Sequence, residues 1–129
     1  MKNLLIYYNP KGKFMPVKDS PTDYEALTKI QIDNSLNLGW RKEDIVFATN
    51  FPYEYSSVKS YVVGDGKYEV YDGNRSSKLP MICEMFRNGA IGDDVYWFHD
   101  HDAYQLQPFA EIDMEGVDIL YTDHGWTSM

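Results

Sequence analysis

The fold turns on one stretch, VYWFHDHDAYQLQPF, Val95–Phe109. Val95 to Phe98 is an unbroken apolar and aromatic run, and His99, Asp100, His101 and Asp102 follow in strict alternation. A short apolar run bounded by polar residues reads as a strand covered on both faces, and so as a central strand. In an extended backbone, side chains two apart share a side. Asp100 and Asp102 therefore face one way, and His99 and His101 the other. In an open α/β sheet, ligands bind outside the carboxyl ends of the strands. The alternating residues stand at the carboxyl end of this one.

The remaining chain supplies neighbours for that strand. LLIYY, Leu4–Tyr8, is a first buried strand, closed by Asn9 and Pro10. DIVFATN, Asp44–Asn50, is a second and VKSYVV, Val58–Val63, a third, with FPYEYSS between them as a loop. DVYWF is the fourth and VDILYT, Val117–Thr122, a fifth. A short extended piece is expected at Tyr68–Tyr71 in the glycine-rich connection.

Two helices are punctuated. The first opens with Ser20 as N-cap, Pro21 at the first position and Asp23 as the acid of a capping box. Tyr24, Leu27, Ile30 and Leu38 share its inward face. Gln31 and Asn34 fall in the same stripe and need partners, which the backbone of a neighbouring loop supplies. Gly39 ends this helix, with Trp40 folding back. The second starts at Ser76 or Ser77, carries Pro80 in its first turn and stops at Asn88-Gly89. Leu79, Ile82, Cys83 and Phe86 form its apolar stripe, which buries the Cys83 thiol. Strand, helix, strand, strand, helix, strand predicts an α/β sandwich with a mostly parallel central sheet flanked by helices.

Size and charge narrow the function. At 129 residues the chain suits a single domain spanning 1–129. A net charge of −8 repels phosphate backbones and argues against generic nucleic-acid binding. It leaves room for a small phosphate ligand, because a bound divalent ion reverses the local field. One cysteine cannot form an internal disulfide, and no apolar run reaches membrane-spanning length. A soluble, cytoplasmic protein without a membrane partner is expected.

Three groups of residues carry possible chemistry. Asp100 and Asp102 are two hard oxygen donors on one side, which suits Mn²⁺ or Mg²⁺ with open positions for water and phosphate oxygens. The imidazoles would suit zinc instead, but only Asp123 and His124 remain to complete such a site. The same four residues also read as a solvated turn. DGNRSSK, Asp72–Lys78, sets Arg75 and Lys78 around a helix start, where free N–H groups and the positive dipole end favour anions. As isolated residues they read equally as surface charges. Tyr7, Tyr8 and Asn9 close the first strand at the same sheet edge. A tyrosine there can stack on a base and Asn9 can read its edge, or both can serve core and turn.

In the order of these elements the sequence resembles a nucleotide-diphospho-sugar transferase of the GT-A type. The resemblance runs from LLIYYNP through QIDNSLNLGWRKEDIVFATNFPYEY and NRSSKLPMICEMF to VYWFHDHDAYQLQPF. It implies a Rossmann-like GT-A sandwich and a metal-dependent glycosyltransferase that binds a nucleotide-diphosphate sugar through its DxD motif. By that resemblance Asp102 is the main Mn²⁺ or Mg²⁺ ligand, and Asp100 contacts the ribose or the metal and its water. Arg75 and Lys78 serve the nucleotide, and Tyr7, Tyr8 and Asn9 the base. The family is usually longer, so most of an acceptor-binding half is expected to be lacking. Asp123 and His124 are what remains as acid–base candidates. Two other functions stay open: a non-catalytic nucleotide or nucleotide-sugar binding module, and a metal-dependent phosphohydrolase using His99, Asp100, His101 and Asp102. Aromatic loops such as NFPYEYSS also allow a purely interacting protein.

Overall fold

The computed structural model describes residues 1–64, 74–109 and 112–120, the side chains of 74–76 excepted. The chain forms β1 (Lys2–Ile6), α1 (Tyr24–Asn37), β2 (Ile45–Thr49), β3 (Glu54–Tyr55), β4 (Val58–Val62), α2 (Asn74–Arg87) and β5 (Tyr96–Phe98). The five strands form one sheet in the order β3-β4-β2-β1-β5. All pairs are parallel except the β3–β4 hairpin. In register, Leu4 stands between Val46 of β2 and Phe98 of β5.

β1 shows why both helices are needed. Its side chains alternate between the two faces of the sheet. Leu4, Ile6 and Tyr8 pack with Met81 and Met85 of α2. Leu5 and Tyr7 pack on the other face with Phe47, Phe51, Phe14 and Tyr24, while Ile32 of α1 packs with Ile45 and Val58. The result is one helix on each side of a sheet whose interior strand β1 is buried on both faces.

The α1 start differs from the expected one. Asp23 is the N-cap, its carboxylate accepting the Ala26 N–H at 3.0 Å, while Ser20 Oγ accepts the Thr22 N–H. A carboxylate at the cap also meets the positive end of the helix dipole. Ile30 is exposed, and Thr28, Gln31, Ile32, Asn34 and Ser35 form the inward face. The stop at Gly39 follows the expectation. Its φ is +92°, the Trp40 N–H donates to the Ser35 carbonyl and the Gly39 N–H to the Leu36 carbonyl, a Schellman closure. Gly89 closes α2 in the same way, with φ +76° and the Ala90 N–H donating to Met85.

Other boundaries move for physical reasons. β1 begins at Lys2, because its N–H bonds the Val95 carbonyl, and ends at Ile6, although the Tyr7 N–H still reaches Ala48. FPYEYSS is not a plain loop: Glu54–Tyr55 pairs with β4 across Ser56-Ser57, both at positive φ. α2 starts at Asn74, which puts Pro80 in its second turn. Its buried residues are Ser77, Met81 and Met85; Leu79 and Phe86 are exposed, and so is Cys83. The helix thus presents a face turned well away from the expected stripe, which keeps only the partly buried Ile82 against the core. β5 lies at the edge of the sheet rather than at its centre, because after α2 the chain crosses to the outer side of β1. Val117–Leu120 forms no strand. A turn at Gly116 precedes it, and Ile119 and Leu120 lie exposed beside the outer edge of β5. The expected piece at Tyr68–Tyr71 lies outside the described residues.

Candidate functional site

The strand order reverses between β1 and β5: β2 and β4 are added on one side of β1, and then β5 on the other. At such a reversal the connections leave in opposite directions, and a crevice opens outside the carboxyl ends of the strands. A cleft of about 290 Å³ lies there. Ile6, Tyr7 and Tyr8 come from the end of β1, Thr22, Tyr24 and Leu27 from the start of α1, and Lys78 from α2; Asp100, His101 and Asp102 follow β5. A second, wider depression of about 950 Å³ runs from Trp97 to Phe109 and shares Asp100 and Asp102 with the first. The two carboxylates therefore stand on the wall between two concave surfaces.

The alternation in the sequence is realised in space. Asp100 and Asp102 are exposed, whereas His99 and His101 are buried toward α1. His99 Nε2 lies 2.9 Å from Asn3 Oδ1 and Nδ1 lies 3.0 Å from the Asp100 carbonyl, while its ring stacks on Trp97 at 3.8 Å. Burial pushes its pKa down. His101 sits edge-on to Tyr7, Tyr24 and Phe47, with 6% of its surface exposed and no hydrogen-bond partner for Nε2. Burial, aided by the charges of Lys78 and His99, lowers its pKa to about 4. The His101 ring is neutral at pH 7, and both rings help hold the segment in place.

α1 fixes the same segment through its polar stripe. Gln31 Nε2 donates to the carbonyls of His101 and Ala103, at 2.7 and 2.9 Å. Asn34 Nδ2 donates to the Gln105 carbonyl and Trp40 Nε1 to Gln105 Oε1. A buried chain continues beneath it, with Ser35 Oγ donating to the Gln31 carbonyl and Asn3 Nδ2 donating to Ser35 Oγ. Inward Gln31 and Asn34 do find loop backbone, as expected, and that loop is the one bearing the carboxylates. The strand alone does not set the direction of Asp100 and Asp102; the side chains of α1 do.

The basic residues divide. Lys78 Nζ donates to Asp100 Oδ1, and this ammonium holds the Asp100 carboxyl below the usual carboxylate range. Arg75 lies in the first turn of α2, and its side chain is outside the described residues. Tyr7 and Tyr8 line the cleft from opposite faces of the sheet, both nearly fully buried. The Tyr7 hydroxyl accepts the Met15 N–H, which ties down the loop after β1. Asn9 is not among the lining residues: its amide donates to the Lys13 carbonyl and its oxygen accepts the Lys11 N–H. It also exchanges two bonds with Asn50, so its polar groups hold the turn. Asp123 and His124 lie outside the described residues. Thr22, which lines the cleft, carried no signal in the sequence beyond its place before a helix, and Tyr24 was legible only as part of the inward stripe of α1. Asn3, a polar residue ahead of an apolar strand, could have pointed to a buried partner such as His99.

As a donor set, Asp100 and Asp102 supply two carboxylates, and among the described residues no group of three or more His, Cys, Asp or Glu is arranged to hold a metal ion by itself. Two carboxylates fit an ion that keeps water or phosphate oxygens in its remaining positions, as Mg²⁺ and Mn²⁺ do. They do not fit a closed zinc site, because the imidazoles are turned inward. Among the described residues no helix is long and apolar enough to cross a membrane. No protein-family model, no curated protein and no solved structure matches the chain.

Proposed function

We propose that this chain binds a nucleotide-diphosphate sugar together with Mn²⁺ or Mg²⁺ and acts as a metal-dependent glycosyltransferase domain of GT-A type. The observation that carries the reading is the convergence of Tyr7, Tyr8, Lys78, Asp100 and Asp102 on one cleft at the reversal of strand order. Asp102 and Asp100 are the residues to hold the ion, which when bound would neutralise charge on the diphosphate leaving group. Lys78 supplies a cation for phosphate oxygens from the α2 side. Tyr24, half-buried where it lines the cleft, offers an aromatic face for a base, with the buried Tyr7 and Tyr8 behind it at the end of β1. The depression along Trp97–Phe109 offers space for a sugar on the far side of the carboxylates.

Binding without transfer is the second reading, and one observation favours it. Both described carboxylates of the cleft are taken by the metal in this scheme, and a His101 with pKa about 4 is a weak base at neutral pH. Calorimetry with UDP and GDP, with and without Mn²⁺, tests what the two readings share. The expected result is binding strengthened by roughly tenfold or more with Mn²⁺. In Asp102→Ala that gain disappears. Absence of binding by both nucleotides under every condition would rule out both readings. Release of free sugar or transfer from a labelled donor then separates enzyme from binding module.

A further inference from the structure

Asp100 already has a cation. The Lys78 ammonium is bonded to its Oδ1 and lies 5.8 Å from the centre of the Phe98 ring. The lysine side chain is 26% exposed against 61% for its partner, so the stem is held between α2 and the end of β5 while the carboxylate faces the opening. Among the described residues Asp102, on the same cleft, has no ion pair. Among the described residues, one carboxylate of the pair is thus neutralised from within and the other has no such partner. We propose that Lys78 holds the cation position at Asp100, so that a divalent ion and a phosphate group bind together: the phosphate draws the ammonium off, and the ion takes its place. This rests on the metal-and-diphosphate reading above and goes beyond it in naming the residue that couples the two ligands.

The coupling follows from charge. A divalent ion approaching Asp100 alone meets an ammonium on the same oxygen, and both repulsion and competition for the lone pair weaken it. A diphosphate gives Lys78 other oxygens at no loss of charge-assisted bonding. The ammonium then stays in the cleft on the phosphate side, and both carboxylates are free for the ion. No bond is made or broken beyond these exchanges.

Electron paramagnetic resonance of free Mn²⁺ measures the affinity of the ion alone. Lys78→Met keeps the stem and removes the charge, and should bind Mn²⁺ roughly tenfold or more tightly than wild type. Lys78→Arg should stay near wild type, and Asp102→Asn in the Met background should lose the gain. With the preformed Mn²⁺–diphosphate complex as probe, followed by calorimetry, the order reverses and Lys78→Met binds more weakly than wild type. Far-UV circular dichroism checks folding, with Lys78→Gln as a second uncharged variant. Equal Mn²⁺ affinity in wild type and both uncharged variants would overturn the proposal while leaving the metal reading in place. Failure of every protein to bind Mn²⁺, with or without diphosphate, would overturn both.

Discussion

His101 is the residue at which sequence pattern and environment conflict most. Its position in an alternating His-Asp run predicts a side, and the structure fills that side with aromatic rings. Its pKa falls from the ordinary 6.5 to about 4. Between those values the unfolded chain takes up a proton that the folded chain refuses. Stability from this group is complete above the unfolded value and is lost as pH falls toward the folded one, on the order of 3 kcal/mol in all. In His101→Phe that part of the acid response should vanish, as read from urea midpoints at neutral pH and near pH 4. An unchanged response would mean that the ring is not buried neutral. Gln31 is as telling. Gln31→Leu leaves the His101 and Ala103 carbonyls without their donor, and should destabilise the protein by about 2 kcal/mol in urea unfolding. It should also weaken Mn²⁺-dependent nucleotide binding, because it loosens the segment that carries the carboxylates. The sequence marks Gln31 and Asn34 as polar residues on an inward face. It does not say which loop they meet, since that contact spans 70 residues.

Elements were legible where local chemistry decides them. Gly39 and Gly89 end their helices because a left-handed residue is needed there, and both Schellman closures form. Faces chosen by tertiary packing were less legible. α2 sits over Leu4, Ile6 and Tyr8, and that surface selects Met81 and Met85 over the Leu79–Phe86 stripe. Met85→Ala should therefore destabilise the protein by about 3 kcal/mol, whereas Leu79→Ala should change stability by less than about 0.5 kcal/mol in chemical denaturation. The β3–β4 hairpin escaped notice because its turn is Ser56-Ser57, with φ of +50° and +64°, where Asn-Gly is the usual signal. Replacing Ser56 by Asn and Ser57 by Gly should raise stability by about 1 kcal/mol, seen as a higher melting temperature. A loss of stability would show that the serine side chains hold the turn.

For the whole molecule, parallel pairing and the two-helix sandwich follow from the alternation of apolar runs with helical stripes. The place of β5 does not, because pairing with the outer side of β1 is a choice among sheet edges that no local pattern encodes. That placement creates the cleft: had β5 extended the sheet beyond β4, the carboxylates would be remote from Tyr7 and Tyr8. The most direct test is crystallographic. Crystals grown with UDP and Mn²⁺, measured at the manganese absorption edge, should show an anomalous peak against Asp100 and Asp102, with the diphosphate beside Lys78 and the base toward Tyr7, Tyr8 and Tyr24. A manganese peak elsewhere, or a nucleotide bound away from the β1–β5 reversal, would contradict this assignment of the site.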